Sequence, residues 1–337
     1  MKLTIEQTKI IKGIAILMMV YGHLFLYSTD VELCSYLFNV GPVPFFNWLT
    51  RAMTPVPFYL FLSGYGLYYI WSSGKELKPW HRCLKLYQVY WVSLLVMVGV
   101  GYIIKPSVYP GSIIKVLENV SGWKTSYNAE AWFLFPYLLL VLSAKWLFSC
   151  VSKMRGAIIA GIGFTLYLAT AFIISRVSRR GDVWLFTTMW AYHPILYIEC
   201  LCSFLLGAIV CKSSRYKLPF WFIRMTDRGW KIALFLMILV IGRCIINTSA
   251  CNPLYTFFVI LLLSRIHWTL WAKKVFLFFG NHSTTIWLTH SYFCYYLFHD
   301  FIYGFKYPLL IFFVTLGCSL FASYMVQIFC RLFRISR

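Results

Sequence analysis

Runs of apolar residues too long for a soluble core recur along the whole chain. A helix needs about 20 apolar residues to cross a hydrocarbon layer about 30 Å thick. Only helices or closed barrels cross, because backbone groups find no water there. Two-residue alternation is absent, so these runs are helices. They fall near 10–28, 55–72, 87–104, 131–149, 157–175, 195–211, 231–247, 252–268, 283–299 and 307–330. The pair between 231 and 268 is split only by Asn247-Thr248-Ser249 and Asn252-Pro253. The apolar stretch 183–194 is expected to lie at the membrane interface. The expected fold is all-α: a polytopic membrane helix bundle of about ten transmembrane helices. Charged residues make up only 12% of the 337, half the share of ordinary soluble domains, about 25%. That excludes a disordered chain, a coiled coil and a plain cytosolic enzyme.

The few charges are lopsided: 31 Lys and Arg against 10 Asp and Glu, a net +21. In a soluble domain this would suggest nucleic acid. Between membrane spans it reads as topology. With the N-terminus cytoplasmic, 22 of the 31 basic residues fall in inside segments, as positive-inside bias requires. Both termini are therefore expected in the cytoplasm. Lys2 and the apolar run from Ile10 imitate a signal peptide, but no small-residue cleavage site follows. Thr4-Ile5-Glu6-Gln7 reads as a capping box that opens the first helix. The pieces 29–54 and 105–130 are too short to fold alone, so one membrane-embedded domain over 1–337 is expected. The 11 cysteines form no C-x-x-C, and no two of the 7 histidines stand at metal-ligand spacing. No metal is expected.

Ionisable residues inside spans are costly to bury and mark candidate sites. Lys12 and His23 stand eleven residues apart, which returns them to within about 20° of one helix face. The rise between them is about 16 Å. Lys12 at the cytoplasmic mouth and His23 near mid-membrane suit a general base reached by an anionic, elongated co-substrate. A histidine that merely bonds a neighbouring helix is the plainer alternative. Ser63-Gly64 allows close helix approach. Arg82 and Lys85, three apart, share a helix face; they serve either as positive-inside anchors or as a phosphate clamp. Glu130-Ala131-Trp132 opens the fourth span on the outer side, where Glu130 orients a substrate hydroxyl or simply starts a helix. Glu199 follows His193-Pro194 in the sixth span. The outer Arg176, Arg179 and Arg180 break the charge bias and read as a solvated loop or a contact for an anionic acceptor or lipid headgroup. His290 lies inside the ninth span, either in a site or in a structural hydrogen bond.

Three stretches together resemble the integral-membrane acyltransferase-3 family. Lys12-Gly13-Ile14-Ala15 followed by His23 is similar to that family's opening motif. Pro57-Phe58-Tyr59-Leu60-Phe61-Leu62-Ser63-Gly64-Tyr65, then Arg82 and Lys85-Leu86-Tyr87-Gln88-Val89-Tyr90-Trp91, resembles its Phe-rich and basic aromatic segments. Gly280-Asn281-His282-Ser283 through Leu288-Thr289-His290 is similar to its C-terminal motif. The resemblance implies transfer of an acyl group, usually acetyl from acetyl-CoA, to a sugar hydroxyl or amine. It implies that His23 is catalytic and that Lys12 and Arg82 assist it or bind the donor. Glu130, Trp132, Glu199 and His290 are candidates for the acceptor side. The chain departs from the pattern: Lys12 and Lys85 replace a common Arg and cannot bind bidentately, Gln88 replaces a Pro, and Glu130 replaces a His. The extracellular hydrolase-like domain of some members is not expected.

The expected partners are the bilayer, acyl-CoA as co-substrate with no permanently bound cofactor, and a cell-envelope glycan or lipid-linked sugar. No nucleic acid is expected. The expected location is a bacterial inner membrane. The rival readings are a glycolipid transporter or flippase and a sugar sensor without chemistry. Transporters show paired repeats with matching broken helices; no second Lys-x10-His occurs in the C-terminal half.

Overall fold

The computed structural model describes residues 2–181, 183–214, 219–333 and 335. The basic residues Arg215, Lys217, Arg334 and Arg337, counted above as cytoplasmic, lie outside the described residues. The longer helices are α1 (Ile5–Phe25), α2 (Pro55–Ser72), α3 (Pro79–Ile104), α4 (Ile113–Ser121), α5 (Leu134–Lys153), α6 (Gly156–Arg179), α7 (Met189–Ser213), α8 (Gly229–Ile245), α9 (Asn252–Leu263), α10 (Leu270–Ser291) and α11 (Pro308–Leu332). A two-residue hairpin, Asn39–Val40 with Val43–Pro44, is the only strand pairing among the described residues. Among the described residues, six helices are long and apolar enough to cross a membrane: α1, α3, α5 with the turn before it, α6, α7 and α11. The expected segments 55–72, 231–247 and 252–268 coincide with the shorter or less apolar α2, α8 and α9.

Local chemistry sets the helix ends. Thr4 and Gln7 form the reciprocal capping box, with the Gln7 amide on Thr4 Oγ1 at 3.1 Å and the Thr4 amide on Gln7 Oε1 at 3.0 Å. Helix α1 therefore opens where the capping box put it, ahead of the apolar run, and ends at Phe25, where Asn47 donates to the Phe25 carbonyl. His23 stands in the last turn of α1. Of the stretch 183–194, expected at the interface, Trp184–Thr187 forms a short helix and the residues from Met189 form the first turns of α7. Pro194 lies in the second turn of this helix and has no N–H to give to the carbonyl four residues back.

The ninth segment is displaced furthest, from 283–299 to α10 at Leu270–Ser291. Its polar stretch lies inside the helix rather than ahead of it. Hydroxyls of Ser283, Thr285 and Thr289 bond carbonyls one turn back, at 2.9, 3.0 and 2.8 Å. The ring of His282 meets Ser323 Oγ and Gln327 Nε2 of α11, both at 2.9 Å. Buried polar groups are tolerable when bonded in this way.

The chain divides into two compact units. One comprises residues 1–12, 54–79 and 135–277. Its centre is the pairing of α2 with α7. A Cβ added to Gly64 would lie 1.9 Å from the Phe204 carbonyl oxygen, and one on Gly207 would lie 2.0 Å from that of Phe61. Two glycines thus let the backbones touch, as small residues do between membrane helices.

The other unit comprises residues 13–53, 80–134 and 278–337. Within it the segment after α3 does not stay at the end of that helix. Tyr109 packs directly on Gly101. The chain then runs back, and the side chains of Tyr87, Tyr90 and Trp91 donate to the carbonyls of Ser121, Asn119 and Val120 at 2.9, 2.8 and 2.8 Å. These bonds satisfy the carbonyls left open at the end of α4. From Gly101 to Tyr87 the return covers about 21 Å at 1.5 Å per residue. Ser112 caps α4, and Gly122, with φ of 72°, ends it. Ile113, Ile114, Leu117 and Val120 form an exposed apolar stripe on this helix. The piece 105–130, expected outside the membrane, is a fold-back along a membrane-length helix.

Candidate active site

The fold-back delivers Glu130 to His23. Glu130 lies in the 3-10 turn Ala129–Ala131, opened by Asn128, whose side chain accepts from the Glu130 amide at 3.1 Å. Asn128 also donates to the Leu288 carbonyl at 3.0 Å and accepts from the Ser291 hydroxyl at 2.7 Å. The Trp287 indole donates to the Glu130 carbonyl at 3.0 Å. Three of these hydrogen bonds fix the turn to the end of α10, and the one inside the turn, from the Glu130 amide to Asn128, helps set the carboxylate in place. Its Oε2 lies 3.0 Å from His23 Nε2.

The opposite ring nitrogen of His23, Nδ1, lies 2.6 Å from His290 Nε2. The two imidazoles are nearly parallel, with 10° between planes and 4.9 Å between centroids. His290 is fully buried. Its Nδ1 lies 3.0 Å from the carbonyls of both Ile286 and Trp287. Carbonyls only accept, so this nitrogen carries hydrogen and Nε2 is turned to His23. The side chains of His23 and Glu130 remain 21% and 17% exposed. A reactant therefore reaches the His23–Glu130 edge and not His290.

A π-helical turn, Tyr292–Tyr296, follows α10. Such turns often mark functional positions. Here it carries Tyr295, whose hydroxyl donates to the His23 carbonyl, and Tyr296, which accepts from the Ala129 amide at 3.0 Å. Lys105 donates to the Tyr296 carbonyl at 2.6 Å. Tyr27, just past α1, packs edge-on against Tyr295 with centroids 5.7 Å apart. Burial, then the charges of Glu130 and Asp30, raise the Tyr27 phenol above its ordinary range, so it stays a neutral donor.

Of the residues expected from sequence, the structure joins His23, Glu130 and His290. The Trp132 ring meets Phe133 edge-on at 6.0 Å, and Phe133 in turn meets Trp287 at 5.7 Å. Arg82 is exposed and Lys85 half-buried in the first two turns of α3. Lys12 is half-buried on α1, in the unit that also holds Glu199 on α7. Trp287 falls inside the C-terminal motif, whereas the other supporting residues, Asn128, Ser291, Tyr295 and Tyr296, carried no sequence signal of their own.

A histidine held by a carboxylate and a second histidine is an arrangement chemically able to move a proton. A family model described as an acyltransferase domain matches residues 7–327, nearly the whole chain. The chain belongs to the acyltransferase-3 family. No curated protein and no solved structure matches it. With its apolar helices this makes it a membrane acyltransferase, and all three histidine-site residues fall within the matched acyltransferase domain.

Proposed function

We propose that this acyltransferase moves an acyl group, acetyl in the simplest case, from acyl-CoA to a hydroxyl of a cell-envelope glycan or lipid-linked sugar. The observation that carries the reading is His23, held through both ring nitrogens and exposed on one edge. Acyl transfer to an alcohol needs a group that takes the hydroxyl proton, and a positioned imidazole does this near neutral pH. The chain crosses a bacterial inner membrane about ten times with both termini in the cytoplasm. The CoA phosphates meet Arg82 and Lys85 at the start of α3, where helix-end amides also favour anions; Lys12 assists the donor. His23 receives the proton of the attacking hydroxyl. Direct attack and a transient acyl-enzyme are both compatible with this arrangement.

The test is release of free CoA from acetyl-CoA by the purified protein in lipid nanodiscs, with and without envelope polysaccharide. Acceptor-dependent release is expected, with a loss of about 10²- to 10⁴-fold in His23→Ala. A folded His23→Ala protein that still acetylates the polysaccharide at the normal rate overturns the assignment. Polysaccharide that binds and crosses the membrane without CoA release would favour a transporter.

A further inference from the structure

The contacts of His23 need one proton more than two neutral imidazoles carry. His290 Nδ1 faces two carbonyls at 3.0 Å and must hold a hydrogen. The His290 Nε2–His23 Nδ1 contact at 2.6 Å needs a second. The His23 Nε2–Glu130 Oε2 contact at 3.0 Å needs a third, since two lone pairs do not approach that closely without a proton between them. Two neutral imidazoles supply two. The count is the same whether the third proton sits on His290, His23 or Glu130. In each arrangement it cancels the carboxylate charge and leaves a neutral triad, the form least costly to bury.

We propose that Glu130 and His290 are positioning residues that make His23 rest with this third proton, so that it acts first as an acid and only then as a base. This rests on the acyl-transfer reading. In that reaction the thioester C–S bond breaks, an ester C–O bond forms, and the hydroxyl proton must end on sulfur. The resting triad gives its third proton from the His23–Glu130 edge to the departing CoA sulfur. The attacking hydroxyl then refills the same edge. Thioester and alcohol become ester and thiol, and the triad is restored.

Few other groups near the edge titrate between pH 5 and 8. Tyr27 follows α1, and Cys294, Tyr295 and Tyr296 lie on the π turn; phenols and thiols stay neutral there, with ordinary values of about 10 and 8.5. Asp30, on the short helix Ser28–Glu32, is paired with His299 at 3.2 Å, and His299 is a second titrating group among the described residues. A His299→Ala background removes it.

The experiment is nitrogen-15 NMR of histidine-labelled protein in nanodiscs at pH 7, without ligand, with the His23 signals assigned by their loss in His23→Gln. In the wild type both His23 nitrogens are expected to be protonated or to share a proton. In Glu130→Gln the glutamine amide donates to Nε2, the third proton is no longer needed, and Nε2 moves to the unprotonated region. The same variant is expected to lose about 10- to 100-fold in kcat for CoA release with little change in the KM for acetyl-CoA. A Nε2 already bare in the wild type, or a spectrum unchanged in Glu130→Gln, overturns the proposal. Should that variant not fold, Glu130→Asp withdraws the carboxylate and is expected to move Nε2 the same way. The two readings separate: a wild type with the protonated triad but no CoA release sinks acyl transfer, whereas normal release with a bare Nε2 sinks the triad.

Discussion

His23 Nδ1 and His290 Nε2 meet at 2.6 Å although 267 residues separate them along the chain. The contact fixes the ring plane of a histidine whose helix ends two residues later. A side chain in a last turn would otherwise turn freely about its rotamers. The carbonyls of Ile286 and Trp287 hold His290 in turn, so the orientation is anchored in the backbone of α10.

Asn128 is expected to matter as much as residues that touch the reactants. Asn128→Ala removes partners from Leu288, Ser291 and the Glu130 amide at once. A buried polar group left unpaired costs about 1–3 kcal/mol. A lower thermal midpoint and a fall in kcat of about 10-fold are expected; wild-type stability and turnover would show that the turn holds without it.

The contact between α2 and α7 admits no side chain at its glycines. In Gly64→Ala the new methyl would sit 1.9 Å from the Phe204 carbonyl oxygen, so the helices must part. A loss of about 3 kcal/mol is expected, at the upper end for overpacking. Gly66 has nothing within 4 Å. Gly66→Ala should leave the thermal midpoint unchanged or raise it by up to about 1 kcal/mol equivalent, from helix propensity.

Charge reversal at the start of α3 separates donor binding from chemistry. Arg82→Glu and Lys85→Glu are each expected to raise the KM for acetyl-CoA about 10-fold, the equivalent of one charge-assisted hydrogen bond, with kcat held. An unchanged KM in both would place the CoA phosphates elsewhere.

His299 predicts a pH dependence of stability. Burial alone would lower its pKa, but hydrogen bonds from its two ring nitrogens to Asp300 at 2.9 Å and Asp30 at 3.2 Å outweigh that and raise it above 6.5. A raised folded value means the contribution is complete below about pH 6.5 and fades as pH climbs through the folded value. The thermal midpoint should therefore fall from pH 6 to pH 8, and the fall should shrink in His299→Ala.

Helix positions were legible because apolar run length is a one-dimensional property. Where polar residues interrupted a run the reading slipped, as at α10. There the partners that make His282, Ser283 and Thr285 tolerable sit on another helix, and no local pattern shows them. His23 was readable as a costly residue in a span. Its link to Glu130 was not, since 105–130 looks like an ordinary connecting piece until Tyr87, Tyr90 and Trp91 draw its helix back along α3. Arg82 and Lys85 lie where their spacing put them, at the start of a helix.

The site-bearing unit is stitched from three separated stretches of chain, and that ordering has a cost in time. Synthesis at about 5–20 residues per second leaves His23 waiting on the order of 13 to 50 seconds before His290 follows it from the ribosome. Glu130 emerges in between and meets a histidine with no second imidazole behind it. On the proposed reading the site is complete only once α10 has left the ribosome, and a nascent chain that holds His23 and Glu130 without α10 should be chemically silent.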